Sequence, residues 1–474
     1  MTSRVVILGG GFSGAVVALH LMRAPGVPAS ITIIEPRPLL GGGVAYSAPD
    51  ARHRINVPAA RMSAYSDDMG HFDRWLRDHG YPETDPDSLF EGSHLFPARL
   101  EFGRYLDEQV RLHARRGLFN HVRGRAVAAE PRRAGAYQVT LEDGSSLTGD
   151  ILVLAASHPP PGIPKLLARS LGDDPRLIAD PWKEGALAAL SPDDRVLIMG
   201  TGLTMADIVA SLEAAGHRGP VTAFSRRGLL PRGHALDATT LVGDFATRPS
   251  ATALALLRRI RAEIRRAEGA GQAWQAVLDA VRRDGRVVWQ ALPLEERRRV
   301  LRHLRPFWDV HRYRIAPQPE AAVRRWRATG QLEVLTASLN AIAPGPAGID
   351  ASLRLRRSGA AVRRSFDAVL LATGPSHDRL FDTSPPLASL AAAGSVQADP
   401  LGLGLAVDTR SRAISRDGTG DSSLWVAGPL ARGTFGELMG LPQVLTHAEE
   451  VAKAVADELR DRWVAQRHYL VSCF

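Results

Sequence analysis

The sequence has almost no cysteine and almost no lysine. Cys473 is the single cysteine among 474 residues, and the lysines are Lys165, Lys183 and Lys453. One cysteine cannot form a disulfide within the chain, and it cannot supply the two neighbouring thiols of a dithiol redox centre. Arginine therefore carries most of the positive charge, and the formal net charge is +9.

Long apolar runs are missing as well. No stretch reaches the ~20 apolar residues of a membrane-spanning helix, and no signal-peptide pattern precedes the first apolar segment. The arginines alternate with glutamates along helical patterns, and no basic segment is interleaved with aromatic residues. We therefore expect a cytoplasmic protein without a nucleic-acid or membrane partner. A basic surface for such a partner is the alternative that the high net charge keeps open.

The length exceeds what one hydrophobic core usually holds, so at least two domains are expected. The composition is that of a globular protein, with 45% hydrophobic and 23% charged residues. Glycine is plentiful, and two glycine-rich turns each follow an apolar strand pattern. These turns carry most of the functional information in the sequence.

The first glycine-rich turn follows a strand pattern at residues 5–8. Gly9, Gly11 and Gly14 fit the G-x-G-x-x-G fingerprint, whose glycines allow a tight turn, backbone approach to a diphosphate and close helix packing. A second strand pattern ends at Glu35, about 20 residues after the fingerprint, where a carboxylate holds ribose hydroxyls. Strand, glycines, helix, strand and acid in this order predict a dinucleotide site.

FAD is favoured over NAD at this first turn. A further glycine loop at 41–46 follows the acid directly and suits backbone beside an extended cofactor, although an ordinary turn has the same composition. Strand patterns at 150–157 and 423–429 end in small residues, as strands do where an α/β sheet binds its ligand. A helical pattern at 441–459 follows, so the FAD domain is predicted to be split in sequence. The remaining residues predicted to contact FAD from the sequence pattern are Phe12, Ser13, Gly43, Val44, Val127 and Gly428.

The second glycine-rich turn follows a strand pattern at residues 195–199. It has Met205 at the third fingerprint position, which predicts looser packing of the helix on the strand. The next strand ends in Ser-Arg-Arg instead of an acid, and guanidinium groups bind the 2′-phosphate that a carboxylate would repel. NADPH is therefore favoured over NADH, and solvent-facing arginines are the alternative. The residues predicted to contact NADPH are Gly200, Gly202, Leu203, Thr204, Ser225, Arg226 and Arg227.

Together the two turns predict an α/β fold with two Rossmann-like dinucleotide-binding domains. Residues 1–180 and 376–474 are assigned to the FAD domain, and residues 181–375 to the NADPH domain. A strand pattern at 366–375, which contains Ala-Thr-Gly, closes the NADPH domain. Periodic apolar residues predict a helical insertion in that domain at about 245–318, which either caps the active site or serves as a scaffold.

Segments from nearly the whole chain resemble class B flavin-dependent monooxygenases. Within that class they are similar to the FAD–NAD(P)-binding family that includes aspartate N-monooxygenases forming nitrosuccinate. The segments that carry the resemblance are GVAYS at 43–47, HRINVP at 53–58, FPAR at 96–99, GRYL at 103–106, GTGLTMAD at 200–207, SRRG at 225–228, WDVHRYR at 308–314 and GPL at 428–430. The segment before the second turn lacks Phe-x-Gly-x-x-x-His, so a Baeyer–Villiger reaction is not expected.

The resemblance implies an NADPH-dependent, FAD-containing monooxygenase. It would N-hydroxylate a small amine or amino acid with O₂ by way of a C4a-hydroperoxyflavin, and such cofactor chemistry needs no catalytic triad. Asn56 fits the asparagine that lies beside the flavin reaction edge in these enzymes, as a catalytic and cofactor-binding residue, although it also suits a plain turn. His311, Arg312 and Arg314 are candidates for binding a substrate carboxylate or nicotinamide-side phosphates, and interdomain salt bridges explain them equally well.

Two other functions stay open. A reductase or oxidase that passes electrons from NADPH to a small acceptor or a protein partner would have the same two turns. The single cysteine removes the disulfide reductases from this group, since they need a thiol pair. A non-catalytic flavin sensor is the third function, and a homo-oligomer is compatible with each of the three.

Overall fold

Two mainly parallel sheets, each covered by helices, organise the chain. The computed structural model describes residues 2–472 except 28, 157–158, 237–239 and 375–378. Cys473 and the ends of two predicted strands, at Ser157 and Pro375, lie outside the described residues. The described strands are β1 (Ser3–Leu8), β2 (Ala29–Ile34), β3 (Leu89–Phe90), β4 (His94–Leu95), β5 (Phe119–Val122), β6 (Ala126–Pro131), β7 (Tyr137–Leu141), β8 (Ser146–Gly149), β9 (Ile151–Leu154), β10 (Leu177–Ile178), β11 (Val196–Met199), β12 (Val221–Ser225), β13 (Leu332–Gly345), β14 (Gly348–Leu355), β15 (Ala361–Phe366), β16 (Ala368–Leu371), β17 (Arg412–Ile414) and β18 (Gly420–Val426). The described helices are α1 (Phe12–Arg23), α2 (His71–Asp78), α3 (Tyr81–Thr84), α4 (Arg99–His113), α5 (Lys165–Ser170), α6 (Leu203–Ala214), α7 (Ala253–Gly269), α8 (Trp274–Arg283), α9 (Gly285–Ala291), α10 (Leu294–Arg299), α11 (Arg305–Arg312), α12 (Pro317–Ala328), α13 (Leu380–Thr383), α14 (Pro385–Ala392), α15 (Arg432–Phe435) and α16 (Gln443–Ser472).

The first sheet has the strand order β17-β18-β9-β1-β2-β5. β1 pairs in parallel with β2 on one side and β9 on the other, and β18 pairs in parallel with β9. β17 and β18 therefore complete a sheet that β1 begins, as predicted for a domain split in sequence. Alternation along β1 sends Val5 and Ile7 into one core and Val6 and Leu8 into another, which explains an apolar run with no polar side. We call this sheet and its covering elements the first unit.

Helices α1, α4 and α16 cover one face of the first sheet, and the β6-β7-β8 meander and α14 cover the other. α16 runs to Ser472, well beyond the predicted helix at 441–459. Charged pairs one turn apart, such as Glu458 with Arg462, continue the helix after its apolar periodicity ends. Among the described residues, no helix combines the length and the apolar character needed to cross a membrane.

The second sheet has the order β10-β16-β11-β12-β13-β14-β15. Its nucleotide-binding half is parallel, from β10 through β16, β11 and β12 to β13, and β13 to β15 form an antiparallel extension. β10 ends just before the predicted domain boundary at residue 180. It pairs with β16 at the edge of the second sheet, so this two-residue strand belongs to the second sheet. The two sheets confirm the predicted α/β class with two Rossmann-like halves. We call the second sheet and its helices the second unit.

Helices α7 to α11 lie between β12 and α12 and form the predicted insertion. They have a core of their own, which includes Val277, Ala280 and Phe245. The insertion packs on the C-terminal part of the first unit, where the indole N–H of Trp289 donates to the Gly433 carbonyl at 2.8 Å. It therefore spans the two units rather than extending into solvent.

Candidate active site

The first glycine turn joins β1 to α1 and depends on glycine at two points. Gly9 has a φ of +99°, and a Cβ on Gly14 would lie 1.9 Å from the Gly9 carbonyl oxygen. Gly11 precedes α1 and offers no side-chain cap, so the first N–H groups of the helix have no side-chain acceptor. An uncapped helix start with no acidic residue in its first turn suits the oxygens of a diphosphate.

Glu35 is fixed beside this turn. Its Oε2 accepts the backbone N–H of Gly10 at 3.0 Å, and its Oε1 accepts from the Arg37 guanidinium at 3.0 Å. The residue is only 4% exposed. Oε1 also accepts the Arg37 backbone N–H at 3.1 Å, so both of its lone pairs are used, and Oε2 keeps one acceptor position for a ribose hydroxyl.

The loop after Glu35 lies against the same turn. The N–H of Gly41 donates to the Gly10 carbonyl at 2.7 Å, and a Cβ on Gly43 would lie 2.9 Å from the Gly11 Cα. Val44, the next residue, is 54% exposed. The two backbones approach so closely that only glycine fits between them, which leaves a smooth backbone surface beside the helix start.

Gly428 reaches this turn from the C-terminal part of the chain. It has a φ of +80°, and a Cβ there would lie 2.1 Å from the Ser13 Oγ. Its N–H donates to Nδ1 of His447 at 3.1 Å, and Nε2 of the same ring donates to the Ser411 Oγ at 3.0 Å. Burial lowers the pKa of His447 to about 3, so the ring stays neutral and keeps this tautomer.

Phe12 and Val127 complete the set of predicted FAD contacts. The Phe12 ring stacks on Phe102, with centroids 5.9 Å apart, so its backbone N–H is the group that α1 offers to a ligand. Val127 lies on β6 and is 37% exposed. Gly9, Gly11, Ser13, Gly14, Glu35, Gly43 and Gly428 are thus brought together, and their donors, carboxylate and bare backbone fit a dinucleotide.

The second glycine turn joins β11 to α6. Gly200 has a φ of +124°, and a Cβ there would lie 2.2 Å from the Ala372 carbonyl oxygen. Gly202 precedes α6 without a side-chain cap, and a Cβ on it would meet nothing within 4 Å, so this helix start is also open. Met205 is fully buried, and its side chain packs between α6 and the sheet. A glycine at this position would let the backbone of the helix lie directly on the strand.

Ser225, at the end of β12, and the two arginines after it differ in what they can offer to a phosphate. Thr201 Oγ1 donates to the Leu229 carbonyl at 2.6 Å, so the Ser225 hydroxyl must donate to Thr201, at 2.9 Å. That use of its only proton leaves Ser225 without a donor for a phosphate. Arg226 and Arg227 are exposed and form no ion pair with another described residue, and Arg227 lies 4.9 Å above the Phe307 ring of the insertion.

Asn56 lies in the loop that follows the first unit's β2. Its backbone carbonyl accepts from Nε2 of His234 at 2.9 Å, a residue of the second unit. Its amide side chain is half-buried and makes no hydrogen bond within the described part of the chain, so both ends of the amide are available to a ligand. The catalytic role of Asn56 remains a prediction.

The 308–314 segment ends α11 and the insertion. Arg312 forms an ion pair of 2.7 Å with Glu437, and Arg314 forms a two-pronged pair with Asp279, at 2.8 and 2.9 Å. His311 bonds to the Phe307 carbonyl of its own helix at 2.7 Å. Arg312–Glu437 is an interdomain salt bridge, which is the alternative that the sequence left open, whereas Arg314–Asp279 lies within the second unit. Substrate binding by the three residues remains a prediction.

A cavity of about 640 Å³ lies between the insertion and the C-terminal part of the first unit. His447, which holds Gly428, forms part of its wall, and so does Arg61, shortly after Asn56. The cavity therefore lies beside the His447 ring that holds Gly428, and α8 of the insertion contributes to its wall. Its charged lining residues are Arg61, Asp279, Arg282, Arg283, Arg286, Glu437 and Glu450.

Two of these arginines, Arg61 and Arg282, have no carboxylate partner among the described residues. The other charged lining residues form the pairs Asp279–Arg314, Glu437–Arg312, Glu450–Arg286 and Arg283–Asp284. The Nε of Arg282 donates to Gln443 at 2.8 Å, whereas its buried Nη2 meets no partner in the described chain. Burial and the nearby Arg312 lower the pKa of Arg282 to about 9, so it is cationic at neutral pH.

Sequence reasoning missed Arg61 and Arg282. Arg282 and Arg283 are adjacent near the end of α8 and look like a solvated helix end. The available signal is that Arg282 follows Leu278 by one turn and so lies beside the apolar face of α8. That signal places the side chain near the core but does not identify a cavity.

Acid is expected to destabilise the fold through buried neutral histidines. Burial, reinforced by Arg314, lowers the pKa of His234 from 6.5 to about 4. At a pH between these two pKa values, the His234 ring is protonated in the unfolded chain but neutral in the folded chain. The contribution of the neutral ring to the free energy of unfolding is therefore fully present above pH 6.5 and is lost as the pH falls toward 4. In His234→Gln, the slope of unfolding free energy against pH in this window should fall by up to about 1.4 kcal/mol per pH unit. Denaturant unfolding of both proteins between pH 4 and 7 measures it, and identical slopes would contradict the assignment.

Residues 6–159, about a third of the chain, match a family model described as FAD-NAD(P)-binding. No curated protein sequence matches the chain.

Three solved structures are similar over nearly all of both chains. Ornithine hydroxylase from Pseudomonas aeruginosa is 16% identical, with a TM-score of 0.65, over 97% of this chain and 100% of its own. L-lysine 6-monooxygenase from Pseudomonas syringae is 20% identical, with a TM-score of 0.64, over 97% and 99%. Ornithine N-hydroxylase from Kutzneria sp. 744, solved with reduced FAD, NADP⁺ and L-ornithine, is 15% identical, with a TM-score of 0.64, over 96% and 99%.

The fold and the two turns are those of the class of proteins with two dinucleotide-binding halves, and the first half matches the FAD-NAD(P)-binding model. Within that class its fold is the one found in the N-hydroxylating monooxygenases above. The similarity extends through the insertion and the C-terminal part, because it covers 96–97% of the chain.

Proposed function

We propose that the protein is a cytoplasmic NADPH-dependent, FAD-containing monooxygenase that hydroxylates the nitrogen of a small amine or amino acid with O₂. The observation that carries the proposal is a cavity between the insertion and the C-terminal part of the first unit, with two arginines in its wall that have no carboxylate partner among the described residues. The solved structures with this fold include hydroxylases of ornithine and lysine, which supports the same reaction type here.

The residues of the two turns would hold the two cofactors. The helix start after Gly11 and the carboxylate of Glu35 would bind the diphosphate and a ribose of FAD. The helix start after Gly202 would bind the diphosphate of NADPH, and Arg226 and Arg227 its 2′-phosphate. Bound FAD would take a hydride from NADPH and use the electrons to activate O₂.

The chain itself would then position the substrate. The insertion forms part of the cavity wall, so an amine bound there would be partly shielded from bulk solvent. Arg61 and Arg282 would bind an anionic group of the substrate, such as a carboxylate. The same cations disfavour protonation of a nearby amine, which must keep its lone pair free to accept oxygen. The free amide of Asn56 would orient a polar group at the reacting end.

Replacing Arg282 by methionine tests the anionic end of this cavity. Loss of one charge-assisted contact should raise KM for carboxylate-bearing amines about 10- to 100-fold, and should change KM for simple amines less than about threefold. Arg283→Met is the matched control, because Arg283 adjoins the same cavity but is paired with Asp284. Equal effects on both kinds of amine would exclude a carboxylate contact at Arg282.

The reaction type is tested by steady-state turnover with a panel of amines. The panel contains diamines, basic amino acids and acidic amino acids, and each reaction is followed by NADPH oxidation and by detection of the hydroxylamine. We expect at least one carboxylate-bearing amine to give hydroxylamine in proportion to NADPH consumed. NADPH oxidation that yields only hydrogen peroxide with every amine would favour a reductase or oxidase instead.

A further inference from the structure

Three residues to which the proposed function gives no role, one from each of three sequence motifs, meet where the two units touch. His53 belongs to the loop that leads to Asn56, Arg99 begins α4, and Asp207 lies on α6. All three side chains are buried, at 7%, 6% and 3% exposure. Arg99 and His53 each make a side-chain hydrogen bond to α6 of the second unit.

Arg99 is the centre of this contact. Its backbone N–H donates to the His53 carbonyl at 2.8 Å, and its Nε donates to the Arg54 carbonyl at 2.9 Å. Its Nη2 donates to Oδ2 of Asp207 at 2.9 Å. The guanidinium lies 4.7 Å above the ring of Trp182, which closes the pair off from water. One side chain thus joins the loop before Asn56 to the helix that follows the second turn.

A second bridge lies one helical turn along α6. The hydroxyl of Ser211 donates to Oδ2 of Asp50 at 2.5 Å and accepts from Nε2 of His53 at 3.1 Å. Asp207 and Ser211 are four residues apart, so they share the face of α6 that meets the first unit. His53 also packs on Trp182, with ring centroids 5.0 Å apart. The two bridges therefore fix both the position of α6 and its rotation about its axis.

These bridges connect two parts that hydride transfer must align. α6 starts at the second nucleotide turn, and Asn56 follows His53 by three residues in the loop. Asn56 is itself held from the second unit by His234. Directional hydrogen bonds between buried partners permit one orientation, whereas an apolar contact of the same size would let the units slide.

We propose that Arg99, Asp207, Ser211 and His53 form an interdomain latch, a set of positioning residues that aligns the NADPH-binding helix with the loop carrying Asn56. The inference rests on the proposed function, because it assigns hydride transfer from NADPH to FAD as the step that the latch serves. None of the four residues belongs to those assigned to FAD or NADPH. The latch acts through the orientation of α6 and of the 53–56 loop.

Asp207→Asn and Ser211→Ala test the latch in the FAD-loaded protein. Asparagine keeps the shape of Asp207 but removes the charge that pairs with the Arg99 guanidinium. Glu213→Gln is the matched control, since Glu213 lies on the same helix but pairs with Arg325 of α12 within the second unit. The readouts are the anaerobic rate constant of flavin reduction per bound flavin, the Kd for NADPH, and hydrogen exchange of residues 50–58 and 203–214.

We expect Asp207→Asn to lower the reduction rate constant about 10- to 100-fold, because small misplacements of reacting groups have effects of this size. The Kd for NADPH should stay within about threefold, since the second turn and its arginines are intact. Exchange should rise in both segments together, and Ser211→Ala should give a smaller change of the same pattern. Glu213→Gln should change neither the rate nor the exchange of residues 50–58.

An unchanged rate constant per flavin in both latch variants would overturn the positioning role. A wild-type flavin that NADPH fails to reduce would contradict the proposed function, and it is recognised before any variant is made. In that event hydrogen exchange still decides on the latch: faster exchange of residues 50–58 in Asp207→Asn supports it, and unchanged exchange there refutes it.

Discussion

Replacing Arg226 and Arg227 together by alanine is expected to raise KM for NADPH by about 100-fold or more while changing KM for NADH less than about threefold. Both side chains are exposed and lack a carboxylate partner within the described residues, so their charge is free for a 2′-phosphate. A guanidinium–phosphate contact is charge-assisted, and two of them account for an effect of this size. NADH lacks the 2′-phosphate, so its KM does not depend on these two contacts.

The matched control is Arg218→Ala, an exposed arginine of the same unit that is paired with Asp193. It should leave both KM values unchanged, which separates a local phosphate contact from the general effect of lowering the positive charge. Steady-state NADPH and NADH oxidation by the three proteins measures the effect. If the double variant weakened NADPH and NADH equally, the second turn would not distinguish the two coenzymes.

Gly14→Ala is expected to abolish FAD retention. The added Cβ would lie 1.9 Å from the Gly9 carbonyl oxygen, which is backbone and cannot rotate away. α1 must move off the turn to accept it, and the diphosphate loses the helix start that binds it. A displacement that costs more than about 3 kcal/mol lowers FAD affinity by more than about 100-fold. Flavin content after purification and FAD titration of the apoprotein measure the loss.

Gly269→Ala is the control for this prediction. Gly269 ends α7, and a Cβ there would meet nothing within 4 Å. Its flavin content should equal that of the parent protein. A Gly14→Ala protein that is isolated with full FAD would show that α1 is not the diphosphate-binding helix.

Local patterns were sufficient to predict both halves of the fold. The apolar run at 5–8 is buried on both faces of a parallel sheet, which is the situation that such a run indicates. The fingerprint glycines are found where side chains would collide, so their spacing reflects a steric requirement. The end of α16 was not predicted, because the apolar periodicity that predicted a helix ends near residue 459, whereas the helix continues to Ser472.

The cavity and the latch could not be read from the sequence, because their partners are distant in the chain. Arg312 forms an ion pair with Glu437, and Arg314 forms one with Asp279. The two arginines are two residues apart in the chain, yet their partners lie in different units. Arg282 and Arg283 are adjacent, yet only Arg283 has a carboxylate partner among the described residues. The partner of Arg283 is its sequence neighbour Asp284, whereas the partners of Arg312 and Arg314 are distant in the chain, so the sequence pattern does not show which arginine remains free for a ligand.

A single turnover with O₂ tests the proposed monooxygenase most directly. The FAD-loaded protein is reduced anaerobically with one equivalent of NADPH and then mixed with O₂ in the presence of each amine of the panel. Hydroxylamine and hydrogen peroxide are counted per reduced flavin. The account predicts that, for at least one carboxylate-bearing amine, close to one hydroxylamine is formed per flavin, with little peroxide. One peroxide per flavin and no hydroxylamine with every amine would contradict it.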